Sequence, residues 1–213
     1  LKQMLSYEDS LKILKETKAL ISGHFILSSG LHSSEYIQCA KLLSYPLKAE
    51  VICSSLCDKI KNTFSDIDLI LSPAIGGIVV GYEIGRQLTK ETIFAERENG
   101  NLTLRRNFEI LSKKNVLIVE DVITTGKSAL ECYKLIEDSK ANVLGYACII
   151  NRSTNKSLKD KPIISQLELN IKTFNKNNIP KNLKEIKAIK PGSRNLNKWK
   201  KEDSVLTLTM LQP

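Results

Sequence analysis

The chain has 213 residues, 42% of them hydrophobic, and a formal net charge of +9. That is enough for one sizeable α/β domain with a small appendage. No apolar run approaches the roughly 20 residues a membrane span requires, and the polar N-terminus shows no signal-peptide pattern. Five cysteines and only two histidines, with no Cys-x-x-Cys pair, argue against a zinc site and predict a reduced, cytoplasmic protein. The charge is uneven: residues 1–150 carry 18 Lys and Arg against 18 Asp and Glu, and residues 151–213 carry 14 against 5. Few aromatics interleave with the C-terminal lysines, so that third reads as a solvated face rather than a nucleic-acid surface.

In chain order, Ser6-Tyr-Glu-Asp9 reads as a capped helix start, with the helix over 7–20. Residues 21–45 hold Gly23, Gly30 and several serines between β-prone pieces at 24–27 and 35–39. They predict an irregular β-rich cap. Pro46 opens a helix over 47–63, in which Cys53 and Cys57 share a face. Asp68–Ser72 is a short buried strand. Pro73-Ala-Ile-Gly-Gly77 is a tight turn, and a helix runs on to about residue 89. Glu98-Asn-Gly-Asn101 predicts a hairpin with strands near 93–97 and 102–110. Val116–Val119 is a strand, 127–139 a helix and Val143–Ile150 a strand. Beyond residue 155 periodicity fades, with β-prone stretches at 163–169 and 204–211. This alternation predicts a mainly parallel sheet flanked by helices, with ligands outside the carboxyl ends of the strands. The turns at 72–77, 120–128 and 151–155 then converge. The expected division is an N-terminal helix and cap (1–45), an α/β core (46–170) and a basic C-terminal segment (171–213).

One segment carries most of the chemistry. Val116-Leu-Ile-Val119 is followed by Glu120 and Asp121, by Val122 and Ile123, and by Thr124-Thr-Gly-Lys-Ser128 at a helix start. Backbone N–H groups in such a turn and at a helix N-terminus suit a phosphate. Two adjacent carboxylates suit ribose hydroxyls or a sugar-bound Mg²⁺. The plainer alternative is an acid capping its own turn before an ordinary N-capped helix.

The segment 116–128 resembles the phosphoribosyl pyrophosphate (PRPP) signature of the type I phosphoribosyltransferases. It fits that pattern at every position: four apolar residues, two acids, two variable residues, then Thr-x-Gly-x-Ser/Thr. Further matches follow the orotate branch of that family. Gly23–Gly30 with Ser33–Gln38 resembles its N-terminal cap, or hood, and Phe94–Glu98 the strand entering its mobile loop. Ile149-Ile-Asn-Arg152 is similar to a strand ending at the substrate carboxylate, and Lys190–Arg194 resembles the C-terminus of one bacterial branch.

The resemblance implies the type I phosphoribosyltransferase fold and transfer of phosphoribosyl from PRPP to orotate, with Mg²⁺ as cofactor. It further implies a homodimer with shared sites, and no membrane or nucleic-acid partner. Glu120 and Asp121 would hold the ribose hydroxyls directly or through the metal. Val122, Ile123, Thr124, Thr125, Gly126, Lys127 and Ser128 would wrap PRPP and its 5′-phosphate. Ala74, Ile75, Gly76 and Gly77 would form the pyrophosphate turn. Arg152 would grip the orotate carboxylate, with Thr124, Tyr36 and Ile37 lining the base pocket. Arg97 is the candidate that reaches pyrophosphate in a partner's site, with Arg105 and Arg106 in reserve. This chain departs from relatives at Gly76 and Ser28, where many carry lysine, and in its short hairpin loop. The Cys-x-x-Cys-like element aligned with 177–182 is missing. Two other readings share parts of the pattern. A purine-base phosphoribosyltransferase would share the PRPP grip but not the cap or Arg152. A non-catalytic nucleotide sensor would bind RNA through the basic third.

Overall fold

The computed structural model describes residues 4–191, so the 204–211 stretch and most of the Lys190–Arg194 match lie outside the described residues. These residues divide into two compact units, one of 4–20 with 37–170 and the other of 21–36 with 171–191. The elements in chain order are α1 (Tyr7–Glu16), β1 (Leu20–Ile26), β2 (His32–Ile37), α2 (Cys39–Leu43), α3 (Pro46–Thr63), β3 (Leu69–Pro73), α4 (Gly76–Leu88), β4 (Glu91–Glu98), β5 (Asn101–Leu104), β6 (Asn115–Ile123), α5 (Lys127–Asp138), β7 (Asn142–Asn151), β8 (Ser157–Leu158), β9 (Lys161–Glu168), β10 (Thr173–Phe174) and α6 (Lys181–Lys184).

The larger unit is built on a seven-stranded sheet in the order β5-β4-β3-β6-β7-β9-β8. Its five central strands run parallel, and the short strands β5 and β8 close the two edges antiparallel. Central parallel strands are covered on both faces, so they read as continuous apolar runs. All of β3 is buried, as are Val116–Val119 of β6. Alternation along the strands splits these residues between two cores. Leu69, Leu71, Val116, Ile118, Tyr146 and Cys148 pack with Ala129, Cys132 and Ile136 of α5. The intervening residues, including Ile70 and Leu117, belong to the opposite face, where α3 and α4 lie. All five cysteines are free and buried. Among the described residues no helix is long and apolar enough to cross a membrane.

Local chemistry sets most boundaries. Ser6 caps α1, its hydroxyl accepting from the Asp9 N–H at 3.0 Å. The helix stops at Glu16 rather than 20, because Leu20 already enters β1. The β4–β5 turn has positive φ at Asn99 and Gly100, the backbone expected of an Asn-Gly hairpin. Its second strand ends at Leu104, well short of 110. β6 does not stop at Val119 but continues to Ile123, so both acids are strand residues paired to β7.

The smaller unit has a three-stranded sheet in the order β1-β2-β10. Thr173 and Phe174 pair antiparallel with Ser33 and His32, and Ile189 bridges to Phe25. The described part of the basic C-terminal segment is thus hydrogen-bonded into the cap's sheet. His24 and His32 are buried there with ring nitrogens 2.7 Å apart, and His24 Nδ1 donates to the Ile186 carbonyl at 2.9 Å.

Helix α4, which carries the turn at 74–77, lies unusually close to the sheet. A Cβ on Gly81 would meet Ser72 Oγ at 2.1 Å and Ser72 Cβ at 3.0 Å. Gly81→Ala should therefore lift the helix and cost about 1–3 kcal/mol of stability, read as a lower urea midpoint. An unchanged midpoint would contradict this close approach.

Candidate active site

The end of β6 is where the sheet stops burying side chains. Val119 is fully buried, while Glu120 and Asp121 are half-buried. As neighbours in a strand they project from opposite faces. Glu120 faces α5, where Ser128 hydrogen-bonds its carboxylate. Asp121 faces the start of α4, and an added Cβ on Gly76 would sit 2.7 Å from Asp121 Oδ2. The carboxylate therefore occupies the space that any larger residue at 76 would fill. Asp121 Oδ1 accepts from the Val122 N–H at 2.9 Å, and the Cys39 thiol lies 4.0 Å from the Asp121 carbonyl oxygen.

Both acids hold protons above the carboxylate norm. Burial, and then the neighbouring Asp121 charge, push Glu120 up to about 8, although Ser128 and the Arg97 charge pull the other way. Burial also raises Asp121, opposed by the Val122 N–H. Two adjoining carboxylates with so little compensating charge make a site that favours a cation or a ring of hydroxyl donors. Among the described residues no group of three or more His, Cys, Asp or Glu could hold a metal. Two carboxylate donors fit Mg²⁺ that keeps most of its ligands from substrate oxygens and water.

The turn after β6 leads into α5 through Gly126, which has φ of +75° and is buried. A Cβ there would meet Leu158 Cδ1 at 2.7 Å, so both conformation and space demand glycine. No side chain caps α5, and its first turn carries no acid. Lys127 N–H makes only a long contact, 3.4 Å to Thr125 Oγ1. Thr124, Thr125 and Lys127 are exposed around this helix start. Such a terminus presents N–H groups and a positive dipole end to an anion. The alternative of an ordinary side-chain-capped helix is not what the chain forms.

The other two turns meet this one. Ala74 N–H donates to Ala95 O at 2.7 Å, the Ala74–Ile75 peptide is cis, and Ile75 is 85% exposed. Helix α4 also starts without a side-chain cap. On the other side, Arg152 N–H donates to Ile123 O at 2.8 Å, fixing the backbone of 151–155 beside the tip of β6. The Asn151 side chain organises that turn, accepting from Ser153 N–H and donating to Asn155 O.

Several expected contacts look different in three dimensions. Ile123 is a core residue at 1% exposure whose carbonyl serves Arg152, so its side chain supports the site and does not face it. Val122 is half-buried within the strand. Tyr36 lies in the smaller unit with its ring 5.7 Å from that of Phe25, and Ile37 ends β2 half-buried. Arg97 does not project freely from the hairpin, because Glu131 of the same chain holds it. Arg106 is held by Glu96 in the same two-point manner, whereas Arg105 lies 3.9 Å from Glu98. Glu131, Asn151, Leu158 and Cys39 were absent from the expected set. Glu131 was accessible in principle, three residues after Ser128 on one helical face. Leu158 and Cys39 approach the site only through the fold.

A mainly parallel sheet with two acids and an anion-ready turn at one strand tip defines the class of type I phosphoribosyltransferases. The profile of the phosphoribosyl transferase domain matches residues 47–186. An orotate phosphoribosyltransferase of Caldicellulosiruptor saccharolyticus is 43% identical over 190 residues, covering 89% of this chain and 98% of that protein. The crystal structure of orotate phosphoribosyltransferase from Aeropyrum pernix superposes with a TM-score of 0.66 at 22% identity, over 74% of this chain and 92% of that one. Adenine phosphoribosyltransferase from Thermoanaerobacter pseudethanolicus gives 0.56 at 17% identity, over 63% and 88%, so shape alone does not select the base. The chain belongs to the phosphoribosyltransferase family, within its orotate phosphoribosyltransferase branch.

The raised carboxyls link site chemistry to stability. Glu120 binds its proton more tightly when folded than when unfolded. Its contribution to stability is therefore full below the ordinary carboxylate range and is lost as pH rises toward 8. Glu120→Gln should stabilise the unliganded protein by about 1–3 kcal/mol at pH 8 and much less at pH 5, in urea unfolding at both values. Equal effects at the two values would rule out a charge origin.

Proposed function

We propose that the tip of β6 binds PRPP and that the chain transfers its phosphoribosyl group to orotate, giving orotidine 5′-monophosphate and pyrophosphate in pyrimidine biosynthesis. The observation that carries this reading is the adjacency of two half-buried acids, an uncapped helix start entered through Gly126, and a glycine turn lying against Asp121. The N–H groups of 124–128 and the hydroxyls of Thr124 and Thr125 hold the 5′-phosphate. Glu120 and Asp121 hold the 2′- and 3′-hydroxyls. Their negative charge favours the positive charge that develops at the anomeric carbon as the bond to pyrophosphate breaks. The turn Ala74–Gly77 offers backbone N–H groups to the departing pyrophosphate. Mg²⁺, when bound, neutralises part of the charge on that leaving group. Arg152 receives the orotate carboxylate through its planar fork. With the reactants held in this geometry, catalysis is a matter of position and field rather than of a covalent step on the protein.

The proposed assembly is a homodimer, working in the cytoplasm. Its support is a row of exposed apolar residues, Ile75 at the cap of α4 and Val79 and Tyr82 within it, about one helical turn apart. Helix α3 packs along α4 and begins with exposed Leu47 just after exposed Tyr45. Scattered apolar residues need no partner, but a stripe continuous with the pyrophosphate turn does.

A spectrophotometric assay with PRPP and Mg²⁺ should show consumption of orotate and not of uracil, adenine or hypoxanthine. Turnover of a purine base without orotate turnover would overturn the assignment. In the same assay Arg152→Ala should raise the orotate KM by about 100-fold, the scale of a lost two-point charged contact, and leave the PRPP KM within about threefold. Equal effects on the two substrates would remove Arg152 from the base pocket. Light scattering should give twice the chain mass for the wild type and a monomer for a Val79→Asp, Tyr82→Glu double variant.

A further inference from the structure

The turn that follows β7 is tied by a single side-chain amide. Asn151, the last residue of β7, is 2% exposed and pairs with Ile123 at the tip of β6. Its Oδ1 accepts from the Ser153 N–H at 3.0 Å and from the Ser153 hydroxyl at 2.7 Å. A backbone N–H can only donate, so the amide has one possible orientation, and Nδ2 donates to the Asn155 carbonyl at 3.0 Å. The bond to the Ser153 N–H closes an Asx turn whose middle residue is Arg152. The Arg152 backbone is therefore held twice, by its own N–H on the Ile123 carbonyl at 2.8 Å and by the Asn151 side chain reaching over it. Leu158, which covers Gly126, is fixed separately, because β8 pairs with β9 and the Ile163 N–H donates to the Lys156 carbonyl at 2.8 Å.

We infer that Asn151 is a positioning residue for the acceptor base: its amide sets the direction in which Arg152 leaves the end of β7, and with it the fit of the guanidinium to a carboxylate on a planar ring. A guanidinium meets a carboxylate through two parallel bonds only when its plane and line of approach are right. An arginine on an untied turn would have to be ordered by the substrate, and that ordering would weaken binding. The turn specifically requires a neutral amide at 151. One end must accept from an N–H and a hydroxyl, and the other must donate to a carbonyl. Alanine can do neither, and an ionised aspartate keeps the acceptor alone. Buried and bonded within its own turn, Asn151 acts on the base through Arg152 and not by touching it.

The inference rests on the reading of Arg152 as the orotate anchor, and kinetics on the full-length enzyme test it separately. Asn151→Ala should raise the orotate KM about tenfold and leave the PRPP KM within about twofold, because a misdirected anchor weakens one substrate alone. Asn151→Asp keeps the bond over Arg152 and should stay within about threefold of the wild type for both substrates. Should Asn151→Ala fail to fold, Ser153→Ala takes its place. It removes one of the two donors to Asn151 Oδ1 and should raise the orotate KM about threefold, with the PRPP KM unchanged. Added to Arg152→Ala, either variant should cost less than about twofold more, because Asn151 acts through Arg152. An unchanged orotate KM, equal rises in the two KM values, or losses that multiply with Arg152→Ala would overturn the role. If the wild type consumes no orotate, or Arg152→Ala leaves the orotate KM unchanged, the reading of the site itself fails. Failure of the Asn151 and Ser153 variants in an enzyme that depends on Arg152 removes only the role of Asn151.

Discussion

Glu120 and Asp121 are poorly solvated and lie side by side, and the architecture around β6 is what makes that tolerable. A carboxylate leaving water loses solvation that only a cation or hydrogen-bond donors can replace. Among the described residues the donors at the tip of β6 include Ser128 for Glu120, and the Val122 N–H and Asp121's own N–H for Asp121. The deficit survives because the preceding four residues are buried in a two-faced core that fixes the strand, and with it the acids. A pair of acids so short of positive charge favours the approach of cations and hydrogen-bond donors.

The glycines follow from the same constraint. Asp121 lies where a side chain at 76 would go, and α5 can start directly beside the acids only because Gly126 takes a left-handed backbone under Leu158. Relatives with lysine at the position of Gly76 would carry a charge in that turn. Here the turn carries no side-chain cation, and Arg97 is held by Glu131 on α5.

Much of this was legible in the order of residue types. The runs at 68–72, 116–119 and 143–150 read as buried strands, and acids followed by Thr-Thr-Gly-Lys-Ser signalled a strand tip and an anion turn. Less legible were features whose cause lies across the chain. The acid pair at 120–121 reads as the end of the strand, yet residues 120–123 remain in the sheet because β7 offers partners as far as Asn151. The two-residue strand β10 has no periodicity to display and exists through its pairing with β2. The hairpin's second strand stops at Leu104, just before Arg106 and Asn107 take positive φ.

The sequence alone determined which chemical groups are present and in what local order, because the periods of helix and strand and the needs of turns are read from neighbours a few residues apart. It settled the parallel sheet, the acid pair, the glycine at the helix entry and the family. Tertiary structure decided which groups meet. It set Gly76 against Asp121, Leu158 over Gly126 and the Arg152 backbone on Ile123, and it committed Arg97 to Glu131 and left Arg105 the least engaged. Those contacts join residues roughly 30 to 45 positions apart in the chain, where local propensity is silent and only the packing of helices on a shared sheet fixes distance.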